Sequence, residues 1–524
     1  VMTPGGPREE QRVATGIPGL DTVLCGGLRK GRMYMVLGLP GAGKTILANQ
    51  ICFHQAAQGH RVLYLTLLAE SHTELVSNLQ TLSFFDPACV PGKISYLSAF
   101  TILEQGGLDA LAELVRKEIK SHKASLLVLD GLLAAEELAP SRQALKKFIH
   151  GLQVVTGLIG CTTVVLTTGG DKGLRAEHTM VDGLLLLQQK NFGVRTLREL
   201  RVSKFRGSAY KLGQHGFEIT GDGLTVYPRL ESMVDGNLVP GAGKRDRDAF
   251  GVAGLDSMLK GGVPAGSTTI LLGPPGSGKT LLGLSFLAEG ARQGERSHYF
   301  AFYDAPERML AQAAGVGLHL QPLMERGDLE VSFRPPTENI LDKLGTELLT
   351  IVRSGRVRRI FLDGYEALRR ASTRNTRVAR FLAALVNECR VREVTLVYTA
   401  ETTSAFGPEV KFPLKGISMV AENILFLRMV ELHSGLRRFI AVLKVRNSAF
   451  DPAVRELEIT NKGLKVGQPF AEGQMLMTGL ARTRTPEPTP LPKPRSKPRA
   501  GSRSTAKAGT LSKPRRNVSK RRGT

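Results

Sequence analysis

This sequence predicts an α/β fold built twice in tandem, each domain a mostly parallel sheet flanked by helices. Three observations carry the prediction. The pattern G-x-x-x-x-G-K-[ST] occurs at Gly38-Leu39-Pro40-Gly41-Ala42-Gly43-Lys44-Thr45 and again at Gly273-Pro274-Pro275-Gly276-Ser277-Gly278-Lys279-Thr280. In both halves, continuous apolar runs of strand length alternate with helical stretches, as in a parallel sheet covered on both faces. A fixed spacing of 235 residues separates Asp21 from Asp256 and Lys44 from Lys279, a period that means duplicated whole domains rather than a solenoid.

The residues of the loop explain its chemistry. Glycines let the chain turn so that backbone N–H groups face phosphate oxygens with no Cβ in the way. The helix that follows adds the partial positive charge of its N-terminus. Lys44 and Lys279 would reach the β- and γ-phosphates, and the Thr45 and Thr280 hydroxyls would ligate Mg²⁺. Met33–Leu37 and Ser267–Leu272 read as the buried strands leading into the loops. Gly59 and Gly294 read as the C-caps of the helices leading out.

Further strands follow in parallel order. Arg61–Leu67 and His298–Phe302 read as second strands, Leu126–Asp130 and Arg359–Asp363 as third, Thr162–Thr168 and Val394–Thr399 as fourth. Each half closes with a strand carrying K-x-R (Glu199–Gly207; Ile440–Asn447) and a hairpin turning at Asp222-Gly223 or Lys462-Gly463. The domains read as 1–230 and 249–472, with a linker at 231–248 and a tail at 473–524. Ligands of such sheets sit at the carboxyl ends of the strands.

Charge is unevenly spread. The chain has a formal net charge of +24, and about +13 of it falls between Ala481 and Thr524, where 14 Lys or Arg accompany the single acid Glu487. Pro, Lys, Arg, Ser and Thr dominate that tail, a composition that predicts disorder. Such a segment attracts phosphate polymers by counterion release, so nonspecific binding of nucleic acid or of an acidic partner is an expectation. It has no aromatic residue to stack on bases. Five scattered cysteines with no C-x-x-C pair fit a reducing cytosol and a cytoplasmic protein. No apolar run is long enough to span a bilayer, so no membrane partner is expected.

The remaining site residues are read from position. Asp130 and Asp363 end apolar strands, where an acid would hold Mg²⁺ beside the nucleotide. Glu70 and Asp304 follow the second strands and are the candidate bases for an attacking water; their bland reading is a first-turn acid favoured by the helix dipole. Lys204 with Arg206, and Lys444 with Arg446, alternate on a strand and so are expected to share one face. Paired cations far from the loop in sequence could reach a neighbouring subunit's γ-phosphate.

With these residues in hand the chain resembles the KaiC family of RecA-like ATPases, in a double-domain form covering about Thr15 to Phe470. The resemblance rests on TGIPGLD (Thr15–Asp21) and FGVAGLD (Phe250–Asp256), both phosphate loops (nucleotide-contacting Gly38, Gly41, Ala42, Gly43, Lys44, Thr45 and Gly273, Gly276, Ser277, Gly278, Lys279, Thr280), Asp130 and Asp363, KFRGS (Lys204–Ser208) and KVRNS (Lys444–Ser448). It implies a homo-hexameric double ring with Mg-ATP at subunit interfaces, contacts in trans from the K-x-R residues, slow hydrolysis and a role in signal transduction with protein partners. It also implies serine/threonine autophosphorylation in the second ring of some members. Two departures bear on this. The family has adjacent glutamates after the second strand, where this chain has Ala69-Glu70 and Tyr303-Asp304. Ser418 falls at a family phosphoacceptor, but Met419 stands where the neighbouring threonine would be, so single-site modification at Ser418 is the most that is expected. Two alternatives stay open: a catalytically silent, nucleotide-bound ring scaffold, and a DNA-acting RecA-like motor using the basic tail.

Overall fold

The computed structural model describes residues 11–68, 72–170, 176–234, 246–402, 420–432 and 435–469. Glu70, Ser418 and the basic tail lie outside the described residues, as does the middle of the expected linker. The described elements fall within one compact unit that contains two nine-stranded sheets.

The strands of the first sheet are β1 (Met33–Gly38), β2 (Val62–Thr66), β3 (Ile94–Ser98), β4 (Leu126–Asp130), β5 (Thr162–Thr167), β6 (Gly183–Phe192), β7 (Arg195–Phe205), β8 (His215–Thr220) and β9 (Gly223–Tyr227). Across the sheet they run β9-β8-β7-β6-β1-β5-β4-β2-β3. Strands β1 to β6 are parallel and the last three antiparallel. The second sheet repeats the plan with β10 (Thr268–Gly273), β11 (Arg296–Ala301), β12 (Leu329–Phe333), β13 (Val357–Asp363), β14 (Thr395–Glu401), β15 (Asn423–Leu432), β16 (Gly435–Lys444), β17 (Arg455–Thr460) and β18 (Gly463–Pro469). Their order is β12-β11-β13-β14-β10-β15-β16-β17-β18.

The loop strands β1 and β10 sit mid-sheet and are buried throughout, which is why they read as unbroken apolar runs. Helices α1 (Lys44–Ala57) and α2 (Lys279–Arg292) follow their loops directly. Each ends two residues before a glycine in the left-handed region, Gly59 at φ 85° and Gly294 at φ 78°. Strands β3, β6, β12 and β15 are additions to the sequence reading. Edge strands β3 and β12 are only partly buried, so they lack the continuous apolar run that marks a central strand.

Two expectations need amendment. The stretch expected as a linker is folded at both ends: Leu230–Met233 is a short helix whose Leu230 enters the second domain's core, and Arg247–Asp248 pairs with Val263–Pro264. The K-x-R pairs do not alternate along a strand. β7 ends at Phe205 and β16 at Lys444, so Arg206 and Arg446 lie in the turns beyond. In each sheet a register shift sits beside the lysine, between Leu184 and Leu185 opposite Lys204 and between Ile424 and Leu425 opposite Lys444. An extra residue there breaks the period-2 rule and re-aims the side chain.

The domains meet through polar contacts. Asp342, 2% exposed, accepts from the Gly216 amide at 2.9 Å and pairs with Arg377, which also holds Glu231 at 2.9 Å. Arg195 binds Glu338 at 2.8 Å. Within the second domain, fully buried Arg359 is neutralised by Glu295 at 2.6 Å, donates to the Ala249 carbonyl at 2.7 Å and lies over the Phe286 ring. Removing one partner of such a pair strands the other in low dielectric. Arg359→Ala is therefore expected to cost about 3 kcal/mol or more, read as a lower urea midpoint for the second domain.

Buried His215 accepts from the Arg229 amide at 3.0 Å. Burial, aided by the nearby Arg229 and Arg377 charges, pulls its pKa down to about 4. The unfolded chain therefore takes up this proton first. Stability from the neutral ring is complete above the ordinary histidine range and is lost as pH falls from about 6.5 toward 4, by up to about 3 kcal/mol. The melting midpoint is expected to drop over that window, and His215→Gln should remove this component of the drop.

Candidate nucleotide-binding sites

Both glycine loops leave the carboxyl end of their central strand and enter a helix through a residue that only glycine adopts readily. Gly43 (φ 96°) and Gly278 (φ 98°) are the N-caps of α1 and α2, and a Cβ on Gly43 would come within 2.5 Å of Ile219. Lys44 Nζ donates to the carbonyls of Gly38 (2.8 Å) and Leu39 (3.1 Å). Lys279 Nζ donates to Gly273 (3.0 Å) and Pro274 (2.8 Å). The two ammonium groups are thus held over their loops in the same way, and phosphate oxygens would compete for these donors. Ser277 Oγ closes the second loop on the Pro274 carbonyl at 2.8 Å.

The strand-end acids meet the helix-start threonines. Thr45 Oγ1 donates to Asp130 at 3.2 Å, and Thr280 Oγ1 donates to Asp363 at 2.8 Å. Each acid also accepts from a tyrosine one strand away: Tyr64 on Asp130 at 2.7 Å, Tyr299 on Asp363 at 3.2 Å. Asp363 has a third donor, Thr399 Oγ1, at 2.6 Å. Both carboxylates are 6% exposed. Burial raises their pKa values against the opposing effect of the hydroxyls and the lysines. Burial likewise lowers Lys44 and Lys279. A threonine hydroxyl hydrogen-bonded to a strand-end carboxylate beside the phosphate loop is a donor set that fits Mg²⁺ carrying a nucleotide triphosphate.

The second site opens into a cleft of about 490 Å³ whose walls include Lys279, Thr280, Asp363, Tyr303, Glu401 and Arg438. Arg438 Nε also donates to the Gly276 carbonyl at 3.0 Å. In the first domain Gln189 donates to the corresponding carbonyl, that of Gly41, at 2.9 Å. Asp304 stands away from this lining. Its carboxylate pairs with Arg308 at 3.2 Å from a place just before the helix Pro306–Gly315, whose N-cap is Ala305 and whose first-turn acid is Glu307. Tyr303 faces the cleft instead.

The K-x-R residues are at the other end of the sheet. Phe205 pairs with Gly183, which pairs with Tyr34 near the start of β1. Lys204 itself lies opposite Leu184 and so level with Met35, three residues before Gly38, which at about 3.3 Å per residue sets it roughly 10 Å along the strand from its own loop, with Arg206 farther still. Lys444 lies opposite Ile424, beside Ile270 early in β10. Lys444 Nζ donates to the Ala421 carbonyl at 3.1 Å, and half-exposed Arg446 is 4.0 Å from Glu422.

Tyr64, Tyr299, Thr399, Glu401, Gln189 and Arg438 were not singled out from the sequence. For the tyrosines a signal existed, because they too stand 235 residues apart. For Thr399 and Glu401 it did not. Their counterparts by sheet register are Leu166 and Thr168, since Leu37 pairs with Thr167 where Leu272 pairs with Ala400.

Sheet order, loop geometry and strand-end acid together define a tandem RecA-like P-loop protein. The KaiC ATPase family model matches residues 13–231 and again 249–470, and the chain belongs to the KaiC family. It is 27% identical over 481 residues to the circadian clock oscillator protein KaiC of Rippkaea orientalis (strain PCC 8801 / RF-1), covering 90% of this chain and 91% of the relative. It is 26% identical over 490 residues to the circadian clock oscillator protein KaiC 1 of Synechocystis sp. (strain ATCC 27184 / PCC 6803 / Kazusa), covering 91% and 93%. To the circadian clock protein KaiC3 of that strain it is 25% identical over 488 residues, covering 90% and 94%. Among the described residues no helix is long and apolar enough to cross a membrane.

The tyrosine hydroxyls separate the sites energetically. Among the described residues, Tyr64→Phe removes one of two side-chain hydroxyls that donate to Asp130, whereas Tyr299→Phe leaves Asp363 two. A hydrogen bond to a charged group is worth about 1.5–3 kcal/mol. Tyr64→Phe is expected to lose that much, and Tyr299→Phe less, in denaturant midpoints of the nucleotide-free protein.

Proposed function

We propose that this chain is a Mg-ATP-binding ring ATPase of slow turnover, with two nucleotide sites per subunit, acting in signal transduction. One observation carries the reading: the lysine, threonine, aspartate and tyrosine of the phosphate site recur with the same hydrogen bonds in both domains. The loop amides and Lys44 or Lys279 hold the triphosphate. Thr45 with Asp130, and Thr280 with Asp363, would hold Mg²⁺, which would supply charge neutralisation to the bound triphosphate.

The placement of Lys204, Arg206, Lys444 and Arg446 at the far end of each sheet supports a head-to-tail ring, hexameric as the family resemblance implies. A subunit's own K-x-R pair is too distant to serve its own loop. A heterologous contact brings that end against the next subunit's loop. The relatives are named for the circadian clock, and a timing or signalling output set by the nucleotide state is the corresponding role here. Glu70 remains the proposed base of the first site. Modification at Ser418 and a cytoplasmic location remain proposals of the same kind, as does nucleic-acid contact through 481–524. Tyr303 in the second cleft favours one rival, a nucleotide-bound scaffold without hydrolysis.

Purified protein is expected to release phosphate from Mg-ATP, and Lys44→Ala with Lys279→Ala together should lower the rate at least about 100-fold. An unchanged rate would remove the enzyme reading and leave the scaffold. For the second ring, Lys279→Ala and Lys444→Ala/Arg446→Ala subunits are each expected to be silent at this site. Mixed in equal amounts, they should recover roughly a quarter of its turnover, the fraction of interfaces intact on both sides in a randomly mixed heterologous ring. Native mass spectrometry reads the subunit count.

A further inference from the structure

The second cleft is lined by Tyr303 after β11 and by a carboxylate, Glu401, from a different strand. Glu401 is the last residue of β14, the strand hydrogen-bonded alongside the loop strand β10. The parallel register pairs Glu401 with Gly273, the first residue of the phosphate loop. Its exposed side chain lines the same cleft as Lys279, Thr280, Asp363 and Tyr303. Its charge acts on two of these neighbours. It opposes the lowering of the Lys279 pKa ahead of Asp363, and after burial it is the largest influence raising Tyr303. The first domain has Thr168 at the corresponding place, so the acid belongs to one site only.

We infer that Glu401 is the general base of the second site, orienting the attacking water and taking its proton. This inference rests on the Mg-ATP reading of that site. In the step, the water oxygen bonds to the γ-phosphorus while the bond from that phosphorus to the β–γ bridging oxygen breaks. The electron pair leaves with ADP, and the water's proton passes to the Glu401 carboxylate and then to solvent. A carboxylate approaching from β14 rather than from the end of β11 still lies beside the loop, because both strands end on the same edge of the sheet. Tyr303 then serves as the wall that shields this water.

Full-length protein carrying Lys44→Ala isolates the second site. ADP formation gives kcat and KM, a fluorescent ATP analogue gives affinity, and thermal melting checks the fold, which an exposed strand-tip substitution should leave intact. Glu401→Gln is expected to lower kcat about 100-fold with affinity changed less than about threefold, and Glu401→Asp should retain part of the rate. Adding Tyr303→Glu to Glu401→Gln should restore turnover at least about tenfold, because it returns a carboxylate to the same cleft. The inference is overturned by a Glu401→Gln kcat within about twofold of the parent, or by a loss of rate matched by an equal loss of affinity, since a general base contributes to the chemical step rather than to binding. It also fails alone if the Lys44→Ala parent binds Mg-ATP but forms no ADP. If that parent does not bind Mg-ATP, the functional reading of the second site fails with it.

Discussion

A buried carboxylate at the end of an inner strand is the constraint around which each domain is built. Left unpaired, an ionised group in that position would cost several kcal/mol. Asp130 and Asp363 are kept by hydroxyls reaching in from other elements: Thr45 and Tyr64 for one, Thr280, Tyr299 and Thr399 for the other. The bonds that satisfy the charge therefore lock the helix after the loop, the neighbouring strand and the strand-end acid to one another. The geometry of the candidate site and the stability of the fold rest on the same few contacts, so these side chains are held in place by the fold itself.

Duplication has given two frameworks but not two identical chemistries. Both lysines lie over their loop carbonyls, and both acids meet a threonine and a tyrosine. Around the second acid, however, sit Thr399 and Glu401, where the first domain has Leu166 and Thr168. The extra donor and the extra acid make the second site more polar, and Tyr303 forms part of its wall.

Direction is set by the sheet. Six parallel strands put every loop and acid at one edge, and the antiparallel return of β7 and β16 carries the K-x-R residues to the opposite edge. The register shift beside each lysine occurs in both domains. Between the domains, Asp342, Arg377 and Glu231 form a charged cluster around the Gly216 amide. A buried ionic cluster of this kind accepts few alternative geometries, since a misplaced partner leaves a charge uncompensated.

The sequence by itself determined the duplication, the parallel α/β plan, the phosphate loops with their lysines and threonines, and the strand-end acids. These are local signals: glycine spacing, unbroken apolar runs, and a period that repeats. Edge strands β3 and β12 were not legible, because half-buried strands carry no continuous apolar run, and the folded ends of the expected linker were hidden by their polar composition. Only the tertiary structure decided which side chains meet across the sheet. It brought Tyr64, Tyr299 and Thr399 to the acids, turned Asp304 to Arg308, and set Glu401 beside Gly273. Strand order fixes those meetings, and strand order depends on how separate segments pack, which no single window of residues encodes.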